Sequence, residues 1–577
     1  MYNKSRRIQA LILSKNFSYA FVITFFQLTG CYVVFGCWLE EYEAVLQYFF
    51  AGVYTMPPYE LVFIDVYGGI IPLLSQLALA AYPLPVNEYL LYAFTAICCF
   101  IINYSAFSLL ENAGASKVSF AITVVIFSFL LFPQFFVLLQ CTRASVLAGI
   151  AAFFAAAWFF VKGGKSFWQV LLIFLLLAAG TVLRLFTAGI STALLLALAF
   201  FIWRWSFLRS WFGRIFIMFF LLQAGLAASL MNYRVHHTFP GERYTNYEHA
   251  VNSRSDLFPL PAVASRHDSL RYELLRNWLV TDTAALSEAF VQKTIRHVTL
   301  GEIISDPPYL KERLRQVIPE LAGLAHPYFY IIIILFGFIF MMPAGQMIAG
   351  AGWILLTMVP LVVLSLISSV YERGFAPLAC LLVFGTWLLW VTRAESYRKK
   401  ALPLFLLLTL TAAFFSWQHL ENIRHVNQQW LKAARQFSKT ASEIDSLQPV
   451  MMPSADMVMF SSKAFEKFPP RQSDRIIMLN AGYLSFFDFI RRPYREKYNL
   501  DITNGKSVAE FIRLHHQQGV ALLTTAEGID LFRNYLDIFY NMPVEVNYLD
   551  IPPIESPQHK LYFFRLKTAG EIQTLKD

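Results

Sequence analysis

The chain has 577 residues, of which 57% are hydrophobic, 16% aromatic and only 15% charged, and its mean hydropathy is +0.50. Soluble domains carry about 25% charged residues, so an ordinary soluble protein is excluded and a membrane protein is expected. The formal net charge of +9 reads as surplus Lys and Arg that orient a chain in a bilayer, and nucleic acid is not expected as a partner.

The N-terminal stretch carries Lys4, Arg6, Arg7 and Lys15 ahead of an apolar run. No small-residue cleavage site follows, so the run reads as a retained first helix rather than a signal peptide. A span needs about 20 mostly apolar residues. Spans are therefore expected over 17–38, 88–109, 118–138, 144–162, 167–184, 186–203, 215–232, 327–343, 347–368, 375–392 and 401–417. All six cysteines (Cys31, Cys37, Cys98, Cys99, Cys141, Cys380) fall in or beside these stretches, which suits small packing residues better than disulfides or a metal site.

The stretch from Trp38 to Asn87 is the most unusual part of the chain. It holds Glu40, Glu41, Tyr42 and Glu43 where the first span meets water, then Tyr54, Tyr59 and Glu60, then an apolar run, Leu61–Tyr82, broken by Asp65, Gly68, Gly69 and Pro72. Charge decides how to read that run. With Leu61–Tyr82 lying in the interface, one side of the membrane receives Lys4, Arg6, Arg7, Lys15, Lys117, Lys162, Lys165, Arg204, Arg209, Arg214, Arg393, Arg398, Lys399 and Lys400. The short loops of the other side receive only Arg143, Arg184 and Arg373. A spanning Leu61–Tyr82 would split the basic loops between compartments. The positive-inside rule thus predicts a cytoplasmic N-terminus and interfacial helices in the first outer loop.

The same topology puts 233–326 and the tail outside the cytoplasm. The first carries eleven basic and eleven acidic residues, a balanced and solvated surface. Within it Leu270, Leu274, Leu275, Trp278 and Leu279 share a helical face after a cap-like Asp268-Ser269. The tail, 418–577, opens with an amphipathic helix bearing Leu420, Ile423, Val426, Trp430 and Phe437. Strand-like runs follow at Ile476–Leu479, Val520–Leu523 and Leu561–Phe564, with a capping box, Ser507-x-x-Glu510, between the first two. The expected fold is an α-helical polytopic membrane protein of about eleven spans (1–417) with a C-terminal extracytoplasmic α/β domain (418–577).

Arg143, Arg184 and Arg373 each sit at the outer end of an expected span, the depth at which Glu40 and Glu41 emerge. Guanidinium groups bind phosphate bidentately and stay charged, and carboxylates opposite them act as general base or hold a divalent cation. The competing reading for each arginine is a side chain that snorkels or pairs with a helix carbonyl. The adjacent Glu40 and Glu41 stand at a helix C-terminus, where the dipole disfavours them. That local mismatch points to use, and both stay open as the acting residue. Glu43 is a weaker third, while Glu60 and Asp65 orient the loop. Surface positions suit His236-His237 and His515-His516, and no phosphate-binding glycine loop is present.

The layout resembles the membrane-embedded glycosyltransferases of the GT-C superfamily. The run Glu40-Glu41-Tyr42-Glu43 with Tyr54-Thr55-Met56-Pro57-Pro58-Tyr59-Glu60 looks like the first outer loop of a bacterial group of this kind. Gln140-Cys141-Thr142-Arg143 and Tyr371-Glu372-Arg373 look like later polar positions of the same group. The resemblance covers 1–417; in that group the acidic loop is typically Asp-rich, whereas this chain has glutamates. It implies a polyprenyl-phosphate-linked sugar donor, a glycan, lipid or protein acceptor, and a place in the bacterial inner membrane among its lipids. Glu40 or Glu41 would act on the acceptor hydroxyl, with a divalent cation as a possible cofactor at that pair. Arg143, Arg184 and Arg373 would hold the donor phosphate with Glu372 beside them, and Tyr42, Tyr54 and Tyr59 would stack on sugar rings. The tail would cover the site or select the acceptor. A polysaccharide polymerase or ligase, a transporter or flippase of lipid-linked saccharides, and a membrane-anchored assembly protein are the alternatives.

Overall fold

The computed structural model describes residues 15–36, 38–39, 86–164, 166–237, 265–276, 282, 284–287, 289–290, 300–367, 372–393, 395–444, 449–453, 476–479, 488–515, 519–557 and 559–568. Among these, ten helices are long and apolar enough to cross a membrane, and Phe167–Leu183 is a shorter apolar helix of 17 residues. At 1.5 Å per residue the shorter helix reaches about 25 Å, just under the roughly 30 Å of a hydrocarbon layer. The chain is a multi-pass helical membrane protein, and each of the eleven expected segments is an apolar helix.

In order, the first half contains α1 (Lys15–Phe35), β1 (Trp38–Leu39), α2 (Val86–Asn112), α3 (Lys117–Val125), β2 (Leu138–Leu139), α4 (Cys141–Val161), α5 (Phe167–Leu183), α6 (Leu185–Trp203) and α7 (Trp211–His237). Between α3 and β2 the helix runs on through a π-helical turn, Ile126–Leu131, into Phe132–Phe136. The second half continues with α8 (Arg266–Arg276), α9 (Leu300–Ser305), α10 (Pro307–Ala325), α11 (Phe329–Phe340), α12 (Ala344–Ile367), α13 (Glu372–Arg393) and α14 (Glu395–Glu443).

The bundle is built around α4 and α13, whose apolar stretches are 83% and 94% buried, whereas α1, α7 and α12 are only 22–28% buried and form the rim. Composition explains the difference. The face of α4 is a run of alanines (Ala151, Ala152, Ala155, Ala156, Ala157), all at most 1% exposed, and small residues let neighbouring backbones approach closely. Large aromatics fill the space opposite: Phe154 stacks on Trp387 of α13 at 5.3 Å, and Trp387 Nε1 donates to Thr123 Oγ1 at 3.0 Å. The rim helices carry exposed Phe21, Phe25, Phe26, Leu221 and Ile348, as lipid-facing surfaces do. The described cysteines are buried and form no disulfide among the described residues.

The tail forms a mixed sheet. Its strands are β3 (Val450–Met452), β4 (Ile476–Met478), β5 (Val520–Thr524), β6 (Val544–Tyr548), β7 (Ile554–Glu555) and β8 (Lys560–Thr568). The order is β4-β3-β5-β8-β6, with β7 on β8. β4, β3 and β5 run parallel, and β8 returns antiparallel between β5 and β6. The helices α15 (Asp488–Tyr498), α16 (Gly505–Leu514) and α17 (Ala526–Tyr540) complete the domain. The amphipathic helix expected at 418 is the continuation of α14, which runs unbroken past residue 417 to Glu443. Two capping expectations are corrected. Asn504 caps α16, its side chain accepting from Lys506 N and Ser507 N, while Ser507 lies inside the helix and accepts from Asp501 N at 2.9 Å. Ser265 caps α8 by accepting from Asp268 N, so Asp268-Ser269 is already helical. Asparagine and serine compete equally for such positions, and spacing alone does not choose between them.

The segment around α8 belongs to the same unit as the tail. Leu270, Leu274, Ala285 and Leu286 share one hydrophobic cluster with Met451, Ile477, Leu522 and Phe564.

Candidate functional site

The end of the bundle where α1 finishes is defined by backbone pairing. Gly36, at φ +79°, turns the chain out of α1, a conformation that costs glycine little. The next described residues form β1, which pairs in parallel with β2: Trp38 with Leu138 and Leu39 with Leu139. The bridge ends one residue before Glu40 on one strand and one residue before Gln140 on the other. The start of α2 lies at the same place, since Tyr92 packs on Tyr32 and Phe136 and Leu91 clusters with Leu139 and Cys141. The chain between α1 and α2 therefore leaves and returns at one end of the bundle.

Three of the expected site residues are arginines that open helices from this end. Arg143 is the third residue of α4, Arg184 is the N-cap of α6, and Arg373 is the second residue of α13. Helix N-termini carry positive partial charge, so a cation there is disfavoured unless an anion is near. Arg184 stands at a break between α5 and α6, with extended backbone at φ −160° and ψ 94°. Ser145 of α4 reaches this break, donating to the carbonyls of Gly180 at 2.8 Å and Arg184 at 3.2 Å. The α5–α6 junction is thus tied to the first turns of α4. α13 packs directly on α4.

Arg143 is 3% exposed. Its Nη1 donates to the main-chain carbonyl of Gln134, in the last turn of the Phe132–Phe136 helix, where carbonyls lack helical partners. Part of its role is thus to cap that helix.

Around Arg143 lies a polar layer of which sequence reasoning singled out Gln140 and missed Gln134, Tyr330 and His419. Gln134, 2% exposed, donates from Nε2 to Tyr330 Oη at 2.7 Å, and Tyr330 is fully buried. The His419 ring of α14 packs edge-on against Tyr328 at 4.9 Å and lies 6.2 Å from the Tyr330 ring. Gln140, the extended residue before α4, is 5% exposed, and its Oε1 is buried with no hydrogen-bond partner among the described residues. The available signal was a polar residue ending an apolar run, as at Gln140 and His419. Gln140 stands out in the sequence beside Arg143, whereas His419 does not without the fold that brings them together.

The opposite end is basic. Lys15 opens α1, Lys117 opens α3, Lys162 follows α4, Arg204, Arg209 and Arg214 lie between α6 and the body of α7, and Arg393 closes α13. Among the described residues these basic positions gather at one end of the bundle.

Glu40, Glu41, Tyr42, Tyr54, Tyr59 and Asp65 lie outside the described residues, as does the Leu61–Tyr82 run, and for Glu372 and Arg373 only the backbone is described. Among the described residues no group of three His, Cys, Asp or Glu side chains is placed to hold a metal. No protein-family model matches the chain, no curated protein matches it, and no solved structure matches it.

Proposed function

We propose that the chain is an integral-membrane glycosyltransferase of GT-C type, working at the outer face of a bacterial cell membrane. In this reading it moves a sugar from a polyprenyl-phosphate donor to a glycan, lipid or protein acceptor. The observation that carries the reading is the arrangement at one end of the bundle. Three helices start there with an arginine in or beside the first turn, and the chain leading to Glu40 and Glu41 is hydrogen-bonded to the strand leading into one of them. Cations at helix N-termini are a local electrostatic conflict, and a phosphate between them removes it, since both the guanidinium groups and the N-terminal N–H groups favour an anion.

Glu40 or Glu41 then takes the proton of the acceptor hydroxyl, alone or with a divalent cation, and the arginines stabilise the charge on the departing lipid phosphate. Glu372 lies beside Arg373, and Tyr42, Tyr54 and Tyr59 supply stacking surfaces for sugar rings. The basic end of the bundle faces the cytoplasm by the positive-inside rule, which puts the α/β domain outside. The test is transfer of a labelled sugar from a polyprenyl-phosphate donor in proteoliposomes. A Glu40→Gln/Glu41→Gln double variant that folds normally and keeps full transfer activity would sink the assignment.

A further inference from the structure

Asp282 is a carboxylate buried in the joint core of the α/β domain, 5% exposed, on the segment that follows α8. Its Oδ2 accepts hydrogen bonds from Tyr535 Oη at 2.6 Å and from Tyr540 Oη, both on α17. Its Oδ1 accepts from the main-chain N–H groups of Ala284 and Ala285 at 3.0 and 3.3 Å. These four donors are two hydroxyls and two amides of its own turn, and none is a cation. Gly505, which opens α16, is the floor of the pocket: a Cβ there would collide with Asp282 Oδ2 and with both tyrosine hydroxyls.

The position in the sheet gives this arrangement its meaning. Asp282 borders a cavity of about 30 Å³ whose lining includes Pro453 and Leu479, the residues just past the carboxyl ends of β3 and β4. Parallel α/β sheets receive their ligands beyond the carboxyl ends of the strands, and the positive end of α16 favours an anion there. In this protein that crevice is filled by the chain's own carboxylate. The domain itself contributes two hydroxyl donors and a glycine cradle, without a guanidinium or ammonium group among those donors. That chemistry suits a single carboxylate better than a phosphate dianion. The donors to Oδ1 travel with the Asp282 turn, so among the described residues the domain's polar hold on Asp282 is the pair of tyrosine bonds.

We propose that this crevice is a carboxylate-binding site whose resident occupant is Asp282, and that a carboxylate-bearing ligand entering it releases the α8 segment from the domain. The test uses the full chain in detergent with sodium acetate as the probe and sodium chloride at equal ionic strength as the control. Asp282→Ala is expected to unfold at a lower temperature and to regain stability saturably with acetate but not with chloride. That recovery is expected to disappear when Tyr535→Phe and Tyr540→Phe are added. An equal response to acetate and chloride overturns the proposal. Should Asp282→Ala not fold, Asp282→Asn keeps the shape and loses the charge. In that variant acetate, and not chloride, is expected to speed proteolysis within 265–290, and equal rates in the two salts overturn the proposal.

Discussion

Arg424 Nη1 donates a 3.0 Å hydrogen bond to the main-chain carbonyl of Val34, so the helix that carries the α/β domain caps the helix that leads to the acidic loop. The contact is reinforced by Phe35 against Trp417, with ring centroids 4.9 Å apart. Carbonyls in the last turn of a helix have no helical donor, and a cation there also complements the dipole. Arg424→Ala is expected to lower stability by about 1.5 kcal/mol, the low end of the range for a hydrogen bond to a charged group, since Arg424 is partly exposed. Glu421, 3.3 Å from Arg424 and half-exposed, forms a surface pair of little net value, so Glu421→Gln should change little. Thermal unfolding of the two variants in one detergent compares them, and equal losses would contradict the capping role.

Gly385 of α13 faces the Trp353 ring of α12, and a Cβ at that position would stand 2.6 Å from the indole. Both helices are held in the membrane core, and Trp353 is fully buried, so the ring has nowhere to retreat. Gly385→Ala is expected to destabilise by about 1–3 kcal/mol through overpacking. Gly225 of α7 meets nothing within 4 Å, and Gly225→Ala should be neutral or slightly stabilising, since alanine is the better helix former. The pair of midpoints, measured side by side, separates a packing effect from a general cost of alanine.

Much of the membrane part was readable because bilayer thickness sets a length that apolar runs must meet. The run from Cys141 to Val161 needs no tertiary information to be recognised. The end charges were equally readable, because Lys117, Lys162 and Arg204 mark one end of their helices without reference to neighbours. The polar layer around Arg143 was not, since Gln134, Tyr330 and His419 lie on three different segments and meet only through the packing of the Phe132–Phe136 helix, α11 and α14. The tail's three strand-like runs became β4, β5 and β8; β3 and β7 escaped notice because runs as short as Val450-Met451-Met452 carry no alternation, whereas Val544–Tyr548 alternates strictly and was legible as β6. Asp282 also escaped, since nothing local shows that a carboxylate will find two tyrosines 253 and 258 residues away.

Those tyrosines make the α/β domain sensitive to alkali. Burial pushes the hydroxyl of Tyr535 well above the ordinary tyrosine range, with the neighbouring charge of Asp282 adding to it. Tyr540 is raised in the same direction by burial and by its bond to Asp282. An acid whose folded-state pKa is raised holds its proton more tightly in the folded protein than in the unfolded one. The resulting stability is fully present below the unfolded tyrosine value of about 10 and is lost as pH rises above it toward the folded values. Tyr535→Phe should remove part of that dependence and also leave Asp282 with one donor fewer. Unfolding midpoints between neutral pH and strong alkali, followed with tyrosinate absorbance, check it. A wild-type profile that stays flat through the alkaline range would contradict the assignment.

Arg143 has one role in the structure and a second in the proposed function, and a pair of substitutions separates them. It caps the Phe132–Phe136 helix through the Gln134 carbonyl, and in the proposed function it also binds the donor phosphate. Arg143→Gln removes the charge and weakens the cap, so both stability and phosphate binding should fall, the former by about 1–3 kcal/mol for a buried acceptor left unsatisfied. Arg143→Lys keeps a charged donor but loses the planar fork that matches phosphate oxygens in pairs. It is expected to keep most of the thermal midpoint while weakening polyprenyl-phosphate binding by about tenfold, equivalent to roughly 1.4 kcal/mol. Titration of polyprenyl phosphate into nanodisc-embedded protein, alongside unfolding of the same samples, reads the two effects separately. If Arg143→Lys binds the lipid phosphate as tightly as the wild type, Arg143 is a helix cap and the phosphate is held elsewhere.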